Sequence, residues 1–543
     1  MDERLVDRRR FLKQAGLLAA GSAAGVWLGG CSNRTYTYIP CLGPAAAPTP
    51  VPGMTYIRAS QIGCALDCDL SDGSNKYTGG RPTDDAPRIN AAMAGASADH
   101  PITLIMDGSS FISGLFLPAG GHWSIAGLGC GTGFFVKSGI NNDGIHNGPP
   151  GAAVPFDPGP PAPSRGMNVS LSNFSLNGNQ GNGHSGDSTS GLARGNKLAL
   201  FCCINLMDLD NIRLENVVVV NSPAFHFRLS NVGNVVATGC VMQSRGLATD
   251  GLHFDGPAND ITISDCSFTT GDDSIALNCP EGYSGNISRV TVTNCSFDSW
   301  SLMRLYTTFG SPIKDQIDSV SVSQCSGTLV EAAFLIGLSS GSISQSVASL
   351  TVSDCTLTAP TILGIAENFG SIALKNVTFT PSQSRAVWNG PVNRISAFLR
   401  PSPLYGGGSC IASNLTFENC RMVRDKNLDV AVVVLENESS IANMAFNGFA
   451  VLDTGSHHPV PALLLIGSGS VGQLVLDSID SSHMTAAVTP GGFSSVGSVA
   501  GKGVLATAWE FPDAVMSNGV PYISANSGLP SIKIEGVVEP YIS

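Results

Sequence analysis

Charge is scarce in this sequence, and basic charge is the scarcer kind. Charged residues make up 13% of the 543 residues, and 29 Lys and Arg stand against 41 Asp and Glu, for a net charge of −12. Binding to nucleic acid needs a basic surface that meets the phosphates, so nucleic acid is not an expected partner. The 63 Gly and 32 Pro indicate a turn-rich chain rather than a helical one.

Long hydrophobic runs are also absent, since no stretch reaches the roughly 20 apolar residues of a transmembrane helix. The nearest is the Gly- and Ala-rich segment from Ala15 to Gly30, which follows the basic run "RRRFLK" at residues 8–13. The basic run and the segment after it together resemble a twin-arginine export signal, and "LGGC" ending at Cys31 resembles a lipoprotein cleavage box. A short membrane anchor is the alternative interpretation.

Three segments follow from this N-terminal pattern. We expect residues 1–31 to be the signal, with Cys31 as the lipidation site, and the Pro/Ala-rich residues 32–58 to be a tether. Residues 59–543 would then form one catalytic domain, exported to the periplasm or cell surface. Its only contact with a membrane would be the lipid anchor.

A matched pair of C-x-x-C motifs is missing as well, which disfavours a zinc site among the fifteen cysteines. Six of these cysteines instead end a repeated pattern of alternating apolar residues followed by one turn residue. The six segments are "NVVATGC", "DITISDC", "RVTVTNC", "SVSVSQC", "SLTVSDC" and "NLTFENC". Their cysteines fall at positions 240, 266, 295, 325, 355 and 420, in steps of 26, 29, 30, 30 and 65.

A short strand repeated at this period predicts an all-β fold, the single-stranded right-handed parallel β-helix, in which each repeat forms one coil of a solenoid. Equivalent residues then stack about 4.8 Å apart. We expect the repeated cysteines to be stacked, buried and mostly free, because a twin-arginine substrate folds in a reducing cytosol before export. Disulfides in an exported protein are the alternative.

The open first coil of a solenoid needs a cover. The segment "PTDDAPRINAAMAGASADHP" predicts a short N-terminal capping helix, with Asp84 or Asp85 as its cap and Ile89, Ala92 and Met93 as its apolar face. An ordinary surface helix before the β domain is the alternative, and it leaves the predicted fold unchanged.

Three aspartates stand one coil apart in "TDGLHFDGPANDITISDCSFTTGDDSIALN". Asp250 lies in a T-D-G turn, and Asp272 and Asp273 follow twenty-two residues later. Most exposed Asp residues beside Gly serve only turns. In a solenoid, however, these three can project from neighbouring rungs, and clustered carboxylates divide into an acid and a base, as glycoside hydrolysis requires.

The order N-S-P, T-D-G, G-D-D over roughly residues 168–308 resembles glycoside hydrolase family 28, the polygalacturonase and rhamnogalacturonase family of the pectate-lyase superfamily. The resemblance implies that Asp272 is the general acid, and that Asp250 and Asp273 position and activate water for inverting hydrolysis. It implies a poly- or oligosaccharide substrate and no cofactor or metal. We expect a monomer.

The sequence departs from the family at three places. Ala248 replaces the Asn of N-T-D-G, the G-H-G motif is absent from "CPEGYSGNISRV", and R-I-K becomes Arg304-Leu305-Tyr306. The missing His and Lys serve catalysis and grip a uronate carboxylate in polygalacturonases. A neutral or mixed sugar is therefore a better candidate than polygalacturonic acid, and an acidic protein would also repel a polyanion.

Candidate substrate-binding residues surround the three aspartates in the sequence. Each histidine has a structural role as its alternative, and each aromatic residue has packing between coils. The candidates are His226, Arg245, His253, Arg304, Tyr306 and Trp300, with Tyr283 and Phe309 as further aromatics.

Two other functions stay open. Parallel β-helices also host polysaccharide lyases and epimerases, which use a basic residue or calcium against a uronate carboxylate. Three Asp could hold calcium, but no Lys lies near them in the sequence. A non-catalytic carbohydrate-binding surface protein would explain the missing His and Lys but not the presence of all three Asp.

Overall fold

A computed structural model of the chain describes much of the sequence from Gly43 to Ile523. The predictions for the signal and for Cys31 fall on residues 1–42, outside the described part, and stay predictions. The described residues are 43–70, 82–148 except 130 and 141, 164–180, 201–279 except 247, 283, 285–307, 315–337, 346–383, 396–401, 410–424, 428, 430–455 except 437, 463–480, 483, 488–502, 514–517 and 520–523.

The chain divides into two compact units. The first unit comprises Met1–Phe156, Ala162–Leu229 and Thr238–Leu252, and the second comprises Asp157–Pro161, Ser230–Ala237 and His253–Ser543. Both are built from short parallel strands that repeat coil by coil.

The strands of the first unit form three parallel ladders. They are β1 (Thr55–Arg58), β2 (Ile102–Met106), β3 (Ser109–Ile112), β4 (Leu115–Phe116), β5 (Gly121–Gly127), β6 (Gly133–Val136), β7 (Ile145–His146), β8 (Gly166–Ser172), β9 (Ser175–Asn177), β10 (Ile204–Glu215), β11 (Val218–Val220) and β13 (Val241–Ser244). One ladder is β1, β2, β5, β8 and β10, the second is β3, β6, β9, β11 and β13, and the third is β4, β7 and β10. Three ladders per coil give the three faces of a parallel β-helix.

Two strands, β12 (Phe227–Thr238) and β14 (Leu252–Ser264), have residues in both units. The remaining strands belong to the second unit. They are β15 (Ser267–Thr270), β16 (Asp273–Asn278), β17 (Ile287–Thr293), β18 (Ser296–Tyr306), β19 (Ile317–Ser323), β20 (Ser326–Ile336), β21 (Val347–Ser353), β22 (Thr356–Ala359), β23 (Thr361–Ile365), β24 (Phe369–Lys375), β25 (Thr378–Pro381), β26 (Ser396–Pro401), β27 (Ile411–Glu418), β28 (Arg421–Arg424), β29 (Val430–Leu435), β30 (Ser439–Asn447), β31 (Ala450–Asp453), β32 (Leu464–Asp477), β33 (Val488–Lys502), β34 (Ala514–Ser517) and β35 (Val520–Ile523).

The second unit repeats the three-ladder plan. Its ladders run β17, β19, β21, β24, β27 and β30; β15, β18, β20, β22, β25, β28 and β31; and β16, β18, β20, β23, β26 and β29. Strands β34 and β35 form a separate antiparallel pair. The predicted fold, an all-β right-handed parallel β-helix, is confirmed.

Alternation along each strand builds the core. From Arg289 to Val292 of β17, exposed and buried side chains alternate, which is the two-residue period of a strand with one face inward. Equivalent phenylalanines of successive coils stack, with ring centroids 5.1 Å apart for Phe268 and Phe297. Burial of this apolar column stabilises the solenoid at roughly 25 cal/mol per Å² of apolar surface.

The cysteine pattern marks a turn in every coil. The residue before each repeated cysteine takes a left-handed backbone conformation, with φ near 55° at Asp265, Asn294, Gln324 and Asp354. Asn and Asp tolerate that conformation better than other side chains with a Cβ. The turn residues also bond to one another, since the Asn294 amide donates to Asp265 at 2.6 Å.

The stacked cysteines are free and buried, as predicted. Cys266, Cys295, Cys325 and Cys355 are each no more than 3% exposed, and the backbone N–H of Cys266 donates to the sulfur of Cys295 at 3.4 Å. Twelve described cysteines in all are free thiols. These cysteines therefore act as small buried fillers of the turn column.

The predicted capping helix is α1 (Ala86–Met93), and it buries Ala86, Ile89 and Met93. Ala92 is only half-buried. Asp84 accepts the N–H of Ala86 at 3.1 Å, whereas Asp85 makes no capping bond to the helix.

Asp85 is instead fully buried and accepts hydrogen bonds from the N–H of Ala65, the N–H of Leu66 and the hydroxyl of Ser110. It ties the start of α1 to the preceding loop and to β3. Among the helices of the described residues, none is long and apolar enough to span a bilayer.

Candidate active site

The second unit holds the adjacent pair Asp272 and Asp273 at the start of β16. The two carboxylates have different environments, because Asp273 is buried at 2% exposure while Asp272 is half-buried in the bend before the strand. The backbone of this bend is fixed, since the Asp272 carbonyl accepts the Thr270 hydroxyl at 2.9 Å and the Trp300 N–H at 3.2 Å. The fold thus presents one carboxylate toward the surface and keeps its neighbour inside.

The next coil holds the carboxylate of Asp273. Ser301 lies directly beside Asp273 in the β16–β18 register, and its hydroxyl donates to Oδ1 at 2.5 Å. Arg304, three residues further along β18, donates from Nε to Oδ2 at 2.5 Å, and its side chain is only 12% exposed. A shielded ion pair of this kind favours the ionised carboxylate.

Arg304 therefore pairs with an aspartate of the candidate site, and its role in substrate binding stays a prediction. The sequence proposed it as a substrate-binding residue on the strength of the R-I-K resemblance, and the structure commits its Nε to Asp273. Both oxygens of Asp273 are engaged by donors. A guanidinium at this carboxylate also repels a cation, which disfavours Asp273 as a metal ligand.

A second buried carboxylate orients His253. The imidazole Nε2 lies 3.2 Å from Oδ1 of Asp255, and the Ser230 hydroxyl donates to Oδ2 of Asp255 at 2.5 Å. His253 and Asp255 are no more than 1% exposed. The carboxylate fixes the ring orientation of His253, so this histidine is held rigidly in the second unit.

In the first unit, His226 holds the T-D-G turn. The carbonyl of Asp250 accepts both the backbone N–H of His226 at 2.8 Å and its ring Nδ1 at 2.7 Å. A carbonyl only accepts, so Nδ1 carries the proton of the neutral ring. Burial of the ring lowers the pKa of His226 to about 4. His226 is thus a neutral residue that positions the backbone of the buried Asp250.

The turn that carries Asp250 is also strained. Ala248 has a φ of 56°, in the left-handed region that Cβ-bearing residues other than Asn and Asp avoid. The adjacent Thr249 is buried and its hydroxyl donates to the carbonyl of Gly246 at 2.8 Å. Ala248 is the position at which the sequence departs from the N-T-D-G pattern, and the backbone there suits Asn.

The proposed aromatic residues are mostly packed. Trp300 is 7% exposed and packs against Ala332, Leu335 and Val330, and Tyr306 is 1% exposed at the end of β18. Both positions fit the alternative of packing between coils.

The other candidates are less buried. Arg245 is half-buried directly after β13, and Tyr283 is half-buried too. Phe309 lies outside the described residues.

Sequence reasoning missed Ser301 and Asp255. A signal for each exists: Ser301 stands one coil after Asp273, and Asp255 stands two residues after His253, a spacing that puts both side chains on one face of a strand. Ser and Asp are too common in turns for either spacing to be decisive alone.

A comparison with known families agrees with the motifs. The family model described as glycosyl hydrolases family 28 matches residues 166–299, a segment that contains Asp250, Asp272 and Asp273. Among curated proteins, none matches the chain.

The solved structures to which this chain is similar include proteins with different activities. A family 28 exopolygalacturonase of Yersinia enterocolitica is 12% identical over 80% of this chain and 78% of its own, with a TM-score of 0.45. A hyperthermoactive exopolygalacturonase of Thermotoga maritima is 13% identical over 69% and 94%, with a TM-score of 0.45. A mannuronan C-5 epimerase module of Azotobacter vinelandii is 12% identical over 82% and 98%, with a TM-score of 0.41.

The fold and the motifs together define a class: a right-handed parallel β-helix protein that carries the adjacent aspartates Asp272 and Asp273 in its second unit. The resemblance to glycoside hydrolase family 28 is confirmed by the family model over residues 166–299. That match supports a carbohydrate-active enzyme.

Proposed function

We propose that the protein is a glycoside hydrolase that cleaves a poly- or oligosaccharide with inversion. The observation that carries this proposal is that Asp272 and Asp273 differ in burial and in ion pairing. The first is half-buried and the second is buried in an ion pair with Arg304. Two carboxylates with different surroundings can divide the roles of acid and base.

Asp272 is the general acid in this mechanism. It protonates the glycosidic oxygen, and the bond from that oxygen to the anomeric carbon breaks. A water molecule attacks the anomeric carbon from the opposite face and gives its proton to Asp273, and the resemblance to family 28 gives Asp250 a part in positioning that water. Arg304 keeps Asp273 ionised and so supports its role as a proton acceptor.

The proposed substrate is a neutral or mixed sugar rather than polygalacturonic acid. Tyr306 replaces the lysine of the R-I-K motif and is buried. Arg304 is already paired with Asp273. The aspartates have no lysine near them in the sequence, and the net charge of −12 opposes a polyanionic substrate.

The test measures reducing ends released from a panel of neutral and acidic plant and microbial polysaccharides. Asp272→Asn should lower turnover by about 10²- to 10⁴-fold, the usual contribution of proton transfer. Asp99→Asn, at an exposed position in the first unit, is the matched control and should retain full activity. Full activity of Asp272→Asn would reject the proposal.

NMR of the early product gives the stereochemical outcome. Inverted anomers are expected, since the two functional carboxyl groups of inverting enzymes leave room for water. Retained anomers would reject the assigned roles, and unsaturated products would identify a lyase.

A further inference from the structure

The corner between β15 and β16 holds one residue more than the equivalent corner of the next coil. Phe268 is in register with Phe297, and Asp273 is in register with Ser301. The chain therefore advances by five positions from Phe268 to Asp273 but by four from Phe297 to Ser301. An extra residue between paired positions leaves the ladder, as in a β-bulge, so Asp272 lies in the bend before β16 and is half-buried.

Ser299 ties the two ends of this bend together. Its hydroxyl oxygen accepts the N–H of Thr270 at 3.3 Å and the hydroxyl of Ser274 at 2.7 Å. Thr270 is the last residue of β15 and Ser274 is the second residue of β16, so one side chain fixes both flanks of the bend. All three side chains are fully buried, where the low dielectric strengthens their hydrogen bonds.

The two residues after Ser299 hold the aspartates themselves. The N–H of Trp300 donates to the carbonyl of Asp272 at 3.2 Å, which fixes the backbone of that residue. The hydroxyl of Ser301, also fully buried, donates to Oδ1 of Asp273 at 2.5 Å. Because Arg304 donates to the other oxygen, a separate donor on each oxygen fixes the plane of this carboxylate.

We propose that Ser299 and Ser301 are positioning residues that set the separation and orientation of the two carboxylates. Ser299 holds the shape of the bend, and Ser301 holds the plane of the Asp273 carboxylate. Arg304 supplies the charge that keeps Asp273 ionised, so the contribution of the two hydroxyls is orientation. This inference rests on the proposed hydrolysis, in which a misplacement of about 1 Å can lower the rate by about 10²-fold.

The first test compares kcat and KM of full-length variants on the polysaccharide that the wild type cleaves fastest. Ser299→Ala and Ser301→Ala should each lower kcat by roughly 10- to 100-fold and leave KM within about twofold, because the contacts to bound substrate remain. Ser301→Thr keeps a hydroxyl and should recover most of the loss.

The matched control is Ser346→Ala, which removes another fully buried hydroxyl of the second unit. This hydroxyl donates to the carbonyl of Asn368 at 2.7 Å, away from the bend. The control should lose as much stability in urea as Ser299→Ala and Ser301→Ala but retain the wild-type kcat, because only the two positioning residues act on the carboxylates.

Hydrogen exchange tests the bend without catalysis. Ser299→Ala removes the acceptor of the Thr270 N–H, so this amide should exchange roughly tenfold faster than in the wild type. Mass spectrometry of overlapping peptides that contain Thr270 measures the rate. Ser346→Ala should leave it unchanged.

Wild-type kcat in folded Ser299→Ala and Ser301→Ala would overturn the positioning role. An equal loss of kcat in Ser346→Ala would also overturn it, because the loss of any buried hydroxyl would then have the same effect. A wild type that cleaves none of the polysaccharides would reject the proposed hydrolysis, and the exchange rate of Thr270 would then decide alone. Faster exchange in Ser299→Ala would support the bend held by this serine, and unchanged exchange would overturn it.

Discussion

His226 shows how one buried residue can fix the backbone of the candidate site. Its ring is fully buried, which lowers its pKa and keeps the imidazole neutral, and its donation to the Asp250 carbonyl fixes the turn. The sequence suggested His226 as a substrate-binding residue. Its contacts describe a positioning residue for the backbone of Asp250.

This burial predicts a pH dependence of stability. Burial lowers the pKa of His226 from 6.5 to about 4, so between these values the unfolded chain binds a proton that the folded chain does not. The contribution is fully present above pH 6.5 and is lost as the pH falls toward 4, and it amounts to at most about 3 kcal/mol. His226→Asn, whose amide can still donate to the carbonyl, should lose less stability over this interval than the wild type.

Urea unfolding at pH 7.5 and pH 5 checks this, with exposed His100→Asn as the control. The free energy of unfolding should differ less between the two pH values in His226→Asn than in the wild type, and His100→Asn should behave like the wild type. An identical difference in all three proteins would show that His226 does not control it.

At the scale of the element, the T-D-G turn holds a conformation that its sequence does not favour. Ala248 has a φ of 56°, and a left-handed residue with a Cβ costs roughly 1–2 kcal/mol unless it is Asn or Asp. Ala248→Asn should therefore raise the free energy of unfolding by about 1 kcal/mol. The control is Ala94→Asn, an exposed position after α1 where φ is −59° and no gain is expected. Equal effects at both positions in urea unfolding would show that strain at Ala248 is not the cause.

The elements themselves were largely predictable because their physics is local. The seven-residue pattern that ends at Cys295 or Cys325 predicts a strand, a turn residue and a buried cysteine. Its repetition along the chain predicts that successive coils stack. The capping helix followed from an apolar period after an acidic start. The role of Asp85 was not predictable, since its partners Ala65 and Ser110 lie about twenty or more residues away in the chain.

The site was predictable only in part for the same reason. The acidic pair and Arg304 were found through motifs, but the contact between Asp273 and Arg304 depends on the register of two coils. Trp300 was proposed as a substrate-binding residue, and its packing against Ala332 and Leu335 depends on the coil that follows. The alternation of residues along a strand predicts which side chains face outward. It does not predict which residues of other coils cover that outward face.

At the scale of the whole molecule, we propose export as a folded protein through the twin-arginine run. Replacing Arg8 and Arg9 by Lys should leave the precursor in the cytoplasm, because the signal depends on that pair. Arg4→Lys, outside the run, should be exported normally. Cell fractionation measures both, and normal export of the Arg8 and Arg9 variant would reject the proposal.

The coil geometry limits how such a chain can change its length over evolution. Asn294 and Gln324 occupy equivalent turns, and the backbone N–H of Asn294 donates to the carbonyl of Ser323, the residue before Gln324. Insertion of a single residue inside a strand would exchange inward and outward side chains downstream. Duplication or loss of a whole coil would instead join positions that are already equivalent. Viable length variants of this gene should therefore differ by whole coils or in the loops between strands.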